Sequence, residues 1–376
     1  MDNPFIFRTY QTKELFCDRQ EELKMLVTNT LSGADTTLIA QRRIGKTGLV
    51  YRLIDEIRSE SLPVLPIYVD IFATRSLEDF VKTLSSAIMN AIPEKSSIGK
   101  KFAKFIRSLR PLITYDPLTS APQIQLTLQS EEEKKQTLTG LLTFLDRQEK
   151  KVLLAIDEFQ QIREYPENDV EAMLRTIIQT LNNVTFLYCG SKRHIMLDIF
   201  GSERNPFYRS TAFVTLQKLD REVYAEFITK HFHEGGFGID DTAVGYILDW
   251  TRGHTYFTQR LCHTVYDMAR GRVDVALVKQ AAVQILQSDA VVFGQYQQLL
   301  TAGQWNFLIA VAKEGEASQI TSRQFLRRHH LGNPSSVSRI VPSLVEKNLL
   351  DENVTEGKTI YGLNDVFLSR WLEKKY

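Results

Sequence analysis

The stretch Ala40-Gln41-Arg42-Arg43-Ile44-Gly45-Lys46-Thr47 sets a glycine, a lysine and a hydroxyl side by side, types that can hold a polyphosphate with few side chains and much backbone. Gly45 lets the main chain approach phosphate, Lys46 reaches β and γ oxygens, and Thr47 offers a hydroxyl to Mg²⁺ at a helix N-terminus. Gln41, Arg42, Arg43, Ile44 and Gly48 belong to the same turn. Before it, Thr37-Leu38-Ile39-Ala40 predicts a buried strand; after it, Leu49, Val50, Leu53, Ile54 and Ile57 predict one face of a helix. The segment reads as a P-loop, against the plainer alternative of a strand–turn–helix with a solvated Arg-Arg-Lys turn. Ala40 stands where a glycine is usual, which is tolerable if φ is negative there.

A second run, Lys151-Val152-Leu153-Leu154-Ala155-Ile156-Asp157-Glu158, has the form of a buried parallel strand ending in two carboxylates. Beside a P-loop, Asp157 would hold Mg²⁺ through water and Glu158 would polarise an attacking water as general base. Phe186-Leu187-Tyr188-Cys189-Gly190-Ser191 is another such strand; Ser191 would touch a γ-phosphate or the lytic water, or else cap a helix. Arg209, just before a last strand, would sense the γ-phosphate, act as a finger toward a neighbouring subunit, or be a surface arginine.

Positioning these groups takes a parallel sheet, and the pattern from Phe16 to about Thr215 supplies one. Strand-like runs at 37–40, 64–69, 152–156, 184–189 and 213–216 alternate with helical patterns, which predicts an α/β domain over 1–217. A stretch at about 93–130 breaks the rhythm and reads as an insertion. Helical periodicity over 218–297 predicts an α-helical lid, and three helices with a two-stranded wing over 298–376 predict a winged helix.

Composition bounds the partners. At 376 residues the chain suggests two or three domains, and 46 basic against 45 acidic residues, net +1, give no global field demanding nucleic acid or membrane. Three scattered cysteines fit a reducing compartment. No apolar run reads as membrane-spanning and no signal peptide is read at the start, so a cytoplasmic location is expected. Local charge is another matter. Lys95, Lys100, Lys101, Lys104, Arg107 and Arg110 interleave with Ile98, Phe102, Phe105, Ile106 and Leu109 at helical spacing, which suits phosphate, acidic protein or anionic lipid, or an amphipathic helix docked on its own domain. In the winged helix, Arg323, Arg327, Arg328, His329, His330 and Arg339 would engage DNA, while Pro342 is expected to disturb the recognition helix.

Taken together, the motifs resemble those of the archaeal-type ATPase family, AAA+-like P-loop proteins of the STAND class. Phe16-Cys17-Asp18-Arg19-Gln20-Glu21-Glu22-Leu23 is similar to the family's Phe-x-Gly-Arg-x-x-Glu-Leu, with Asp18 for glycine. Asp157-Glu158-Phe159-Gln160 is similar to its Walker B run, and Gly190-Ser191 and Pro206-Phe207-Tyr208-Arg209 to the family's next two motifs along the chain. Gly253-His254-Thr255-Tyr256-Phe257-Thr258-Gln259 resembles a lid motif in which proline stands at the place of Thr255. The resemblance implies ATP or ADP with Mg²⁺ sandwiched between core and lid, with Phe16 and Arg19 on the adenine side and His254 contributed by the lid. It further implies slow hydrolysis to ADP and phosphate as a conformational switch, with a protein partner or self-association in the ATP form. The alternatives are a DNA-associated ATPase and a non-hydrolysing ADP-bound scaffold.

Overall fold

The computed structural model describes residues 3–8, 10–93, 95–108, 112–115, 122–126, 128, 130–355 and 357–376. Leu109 and Arg110 of the basic segment, and the proline-punctuated 116–121, lie outside the described residues. The chain forms two compact units, one of residues 9–217 and one of residues 1–8 with 218–376.

In the first unit, α1 (Gln20–Ser32), β1 (Thr36–Ala40), α2 (Lys46–Ser59), β2 (Val64–Asp70) and α3 (Leu77–Ala91) come first, then α4 (Ser97–Ser108) and the strands β3 (Leu112–Tyr115) and β4 (Pro122–Gln125). After them run α5 (Glu131–Asp146), β5 (Lys151–Asp157), a 3-10 turn (Phe159–Glu164), α6 (Val170–Ile178), β6 (Val184–Gly190), α7 (Arg193–Gly201) and β7 (Ala212–Leu216). Five strands make a parallel sheet in the order β2-β5-β6-β1-β7. Alternate side chains of the unbroken apolar runs feed two cores, which is why those runs show no polar alternation. On β5, Val152, Leu154 and Ile156 join one core and Leu153 and Ala155 the other. The second core contains Leu23, Leu26, Leu49, Leu53 and Ile57 of α1 and α2.

The expected insertion holds α4 and the antiparallel β3–β4 pair. Phe102 and Ile106 of α4 are buried in the larger core while Lys100, Lys101, Lys104 and Arg107 are exposed, so the basic segment is a docked amphipathic helix.

The second unit contains α8 (Arg221–Glu234), α9 (Asp241–Trp250), α10 (Thr255–Met268), α11 (Val275–Leu299), α12 (Ala302–Glu314), β8 (Ala317–Ser318), α13 (Arg323–Arg328), α14 (Pro334–Glu346), β9 (Leu350–Thr355), β10 (Lys358–Leu363) and α15 (Val366–Lys375). Helices α12 to α14 with the β9–β10 wing form the winged helix, to which β8 adds a third strand. It is tied to the lid helices rather than set apart. Arg252 donates to the Gly315 carbonyl (3.1 Å), Ser369 (2.9 Å) and Glu373 (2.8 Å), Arg370 donates to the carbonyls of Asp249 and Trp250, and Phe367 packs between Trp250 and Phe257. From the other end of the chain, buried Phe5 packs against Phe232 and Tyr266.

One expectation is corrected here. Helix α14 runs on through Pro342, whose place inside the helix removes a single backbone donor without ending it. Helix α11, at 25 residues, is by length and composition apolar enough to cross a membrane. One face of it is buried within the unit through Val278, Ala281, Ala282, Ile285 and Phe293, Asp289 takes a two-point contact from Arg260 (2.6 and 2.7 Å), and Val291, Val292 and Leu299 are exposed.

Asp35, at the start of β1, accepts a hydrogen bond from the Phe186 amide (2.8 Å), yet burial outweighs that bond and the Arg175 charge, and its pKa is raised to about 6. The folded state therefore keeps this proton longer than the unfolded chain, whose carboxyl ionises near about 3.9. Stability is lost as pH climbs from about 4 through about 6 and then levels. Asp35→Asn keeps the acceptor without the charge. It should exceed the wild type by on the order of 2 kcal/mol at about pH 7.5 and by little at about pH 4, read by urea unfolding at both.

Candidate functional site

The register of the sheet assembles the site. Ala40 ends β1, Gly190 lies beside Ile39, Tyr188 beside Ile156, and Asp70 beside Asp157. All four strands therefore leave the sheet at one edge, and the residues just past their ends meet there, as ligand-binding residues do in parallel sheets. Ala40 is the last residue of β1 and has no positive φ, so the missing glycine removes nothing; left-handed backbone falls instead at Arg43 (φ 64°) and Gly45 (φ 105°), the N-cap of α2. Ile44 is buried, and Arg42 and Arg43 are exposed.

Asp157 is the hub. Its carboxylate pairs with the Lys46 ammonium, accepts from the Thr47 hydroxyl (2.8 Å) and the Tyr68 hydroxyl (3.1 Å), and takes the Glu158 amide (2.9 Å). Burial alone would raise this carboxyl, but Lys46 and the other donors hold it below the usual range. Burial likewise disfavours the Lys46 ammonium, and Asp157 and Glu158 outweigh that, keeping its pKa above the ordinary value. Cys189, buried beside them, is pushed upward by desolvation and stays a neutral thiol.

Glu158 adopts left-handed backbone (φ 57°), which turns its side chain back over the site. Its Oε1 lies 3.7 Å from Lys46, and its Oε2 accepts from the Ser191 hydroxyl (2.7 Å) and from the Gln160 amide. Ser191 thus serves the carboxylate here. Gly190 leaves room for this: a Cβ there would stand 2.5 Å from Gln160 and 2.4 Å from Met196.

The remaining predicted residues part company. Phe16 lies on the first turn of α2, where a Cβ on Gly48 would come 3.1 Å from its ring. Arg19 is buried, with its guanidinium on Glu22 (2.8 Å) and the Gln217 carbonyl, so it anchors the segment before α1. Arg209 is not brought to the cluster. Its amide bonds the Phe200 carbonyl at the end of α7, and three residues later Ala212 pairs with Thr36, at the N-terminal edge of the sheet. The five residues of β1 separate that edge from the P-loop, roughly 16 Å along the strand. Exposed there beside the Tyr208 ring, Arg209 cannot read a γ-phosphate in its own site. His254 is the buried N-cap of α10 in the second unit, 4.8 Å from the Phe257 ring. Sequence reasoning missed Tyr68 and Asp70. No sequence signal marks them, since it is the pairing of β2 with β5 that brings the end of β2 beside Asp157.

Residues 16–257 match the family described as an ATPase domain predominantly from Archaea. The chain belongs to this family. Residues 291–374 of the ATPase match a probable winged helix domain. No curated protein matches it. Among solved structures it is similar to a Walker-type ATPase of Pyrococcus abyssi, with 18% identity, TM-score 0.67 and coverage of 98% of this chain and 99% of that one. It is also similar to the Aeropyrum pernix ORC2 protein, solved as ADPNP–ADP complexes (15%, 0.59, 99% and 96%). A third similar structure is the Aeropyrum pernix ORC1 protein in complex with DNA (16%, 0.50, 96% and 93%). At these identities the likeness is one of fold: a P-loop ATPase domain followed by a winged helix.

Two further departures of the ATPase from the family pattern, beside that at Ala40, have local reasons. Asp18 takes φ 55°, a left-handed place that glycine fills freely and aspartate tolerates better than most residues. Thr255 is the first residue of α10, where proline is favoured, and its buried hydroxyl has no hydrogen-bond partner among the described residues. His254 before it is extended (φ −78°, ψ 121°), as a residue preceding proline must be. Thr255→Pro should therefore stabilise the protein by about 0.4–1 kcal/mol, seen as a higher midpoint in thermal unfolding.

Proposed function

We propose that this ATPase binds ATP with Mg²⁺ and hydrolyses it slowly to ADP and phosphate, the cycle driving a conformational switch. The observation that carries the reading is the convergence of Lys46, Thr47, Asp157, Glu158 and Ser191 at one sheet edge. The donor set fits a hard divalent cation. The Thr47 hydroxyl and the Asp157 carboxylate, which meet at 2.8 Å, would hold the ion, Asp157 through water. When bound, the ion would neutralise charge on the β and γ oxygens.

The chain's own residues do the rest. Lys46 exchanges its carboxylate partners for phosphate oxygens, with the amides after Arg43 and Gly45 around the same anion. Glu158, steadied by Ser191 and Gln160, takes a proton from the water that attacks the γ-phosphorus, and ADP leaves. Ser191 acts by orienting the base. Arg209, exposed at the far edge, suits a finger toward a second copy in an ATP-dependent assembly.

Lys46→Ala should weaken binding of a fluorescent ATP analogue about tenfold to a hundredfold, the cost of losing charge-assisted contacts. Glu158→Gln should bind as the wild type does while phosphate release falls by about 10²- to 10⁴-fold. Wild-type turnover in purified Glu158→Gln would remove the general-base role.

A second reading, association with DNA, rests on the unbroken α14 and on exposed Arg323, Arg327 and Arg339. Arg328 and His329 are instead engaged by Glu314 (2.8 and 2.7 Å). Binding through the three exposed arginines should fall steeply with salt in a gel-shift titration, with a log–log slope of about −2 to −3. A flat salt response would exclude it.

A further inference from the structure

The insertion carries a trough that the ATP site does not use. It encloses about 680 Å³ and follows α5 for its whole length: Glu132, Lys135, Gln136, Thr139, Gly140, Thr143 and Phe144 face it, with Arg147 and Gln148 just beyond. Those positions recur every three or four residues, so they form one continuous stripe of roughly 22 Å. Helix α4 walls one side with Lys101 and Phe105. The floor is apolar, since the Phe105 and Phe144 rings stack 6.0 Å apart, and Gly140 admits Phe105 so closely that a Cβ would come within 3.0 Å of it.

The rim is basic. Lys101, Lys135 and Arg147 are exposed and have no ion-pair partner among the described residues, and Lys100, Lys104 and Arg107 on α4 extend the same charge. Glu132, the one acid of the lining, receives the Gln136 amide (3.0 Å). In a chain of net charge +1, a helix of twelve residues without an acid is a local concentration of positive charge.

We infer that this trough docks an acidic amphipathic helix of about four turns from a protein partner, its apolar face on Phe105 and Phe144 and its carboxylates at Lys101 and Lys135 and, about 18 Å away, at Arg147. Length decides against a compact small molecule. A floor of phenyl rings and threonines does not track a phosphate backbone, and a concave channel does not match a lipid surface.

The test uses the full chain and a fluorescein-labelled synthetic peptide of sixteen residues, with leucines at helical spacing on one face and glutamates at both ends. Saturable binding by anisotropy is expected. Lys135→Glu with Arg147→Glu should weaken it tenfold or more, as should Thr139→Trp, which fills the trough from an exposed position, with ATP-analogue binding unchanged in both. A scrambled peptide of the same composition should also bind at least tenfold more weakly. The inference is overturned by absent binding, by variants that bind like the wild type, or by an equally tight scrambled peptide. Tighter binding of a 20-base-pair duplex or of phosphatidylglycerol vesicles through the same three residues would overturn it as well.

Discussion

A buried carboxylate sets the terms for this molecule. Asp157 sits at the end of a strand with no exposed residue, where an unpaired charge would cost several kcal/mol, so every donor around it is committed. Lys46 and Thr47 reach it from the P-loop, Tyr68 from the edge strand β2, and the Glu158 amide from its own turn. One residue thereby ties the first turn of α2 to the ends of two strands. The same arrangement leaves the P-loop lysine held by carboxylates of the kind that a polyphosphate would replace, so binding there is an exchange of anions.

Periodicity and motif made much of the chain legible in sequence. The strands at Thr36–Ala40, Lys151–Asp157 and Val184–Gly190 are short, wholly covered runs, which only a parallel sheet packed on both faces explains, and the P-loop and acidic pair sit where such runs end. Tyr68 was not legible because a tyrosine within a strand reads as a β-former; only the pairing of β2 with β5 makes it a partner of Asp157. Of the three readings open for Arg209, sensing a γ-phosphate in its own site followed chain order, which the topology does not turn into proximity. The crossover through α7 carries the chain back to the opposite edge before β7 begins. In α14, a rule about proline in helix interiors gave way to context: the winged helix holds that segment helical despite one lost bond.

The domain reading sharpened as well. Boundaries near 217 and 297 described a lid and a winged helix in sequence, but Arg252, Arg370 and Glu373 lace the two across the turn that leads into the His254 motif. A displacement of that turn would be felt by α15 directly. The lid helices and the winged helix thus share one compact unit, with these contacts running across it.

The opening residues matter for the same reason. Phe5 is buried in the second unit, yet Tyr10 bonds Asp55 in the first, and the chain returns to the second unit only after Gln217. In topological terms the whole nucleotide-binding unit is inserted into the chain of the second unit, which it leaves after residue 8 and rejoins at residue 218. Because Phe5 belongs to the core of the second unit, that core cannot be completed until chain on both sides of residues 9–217 has been made.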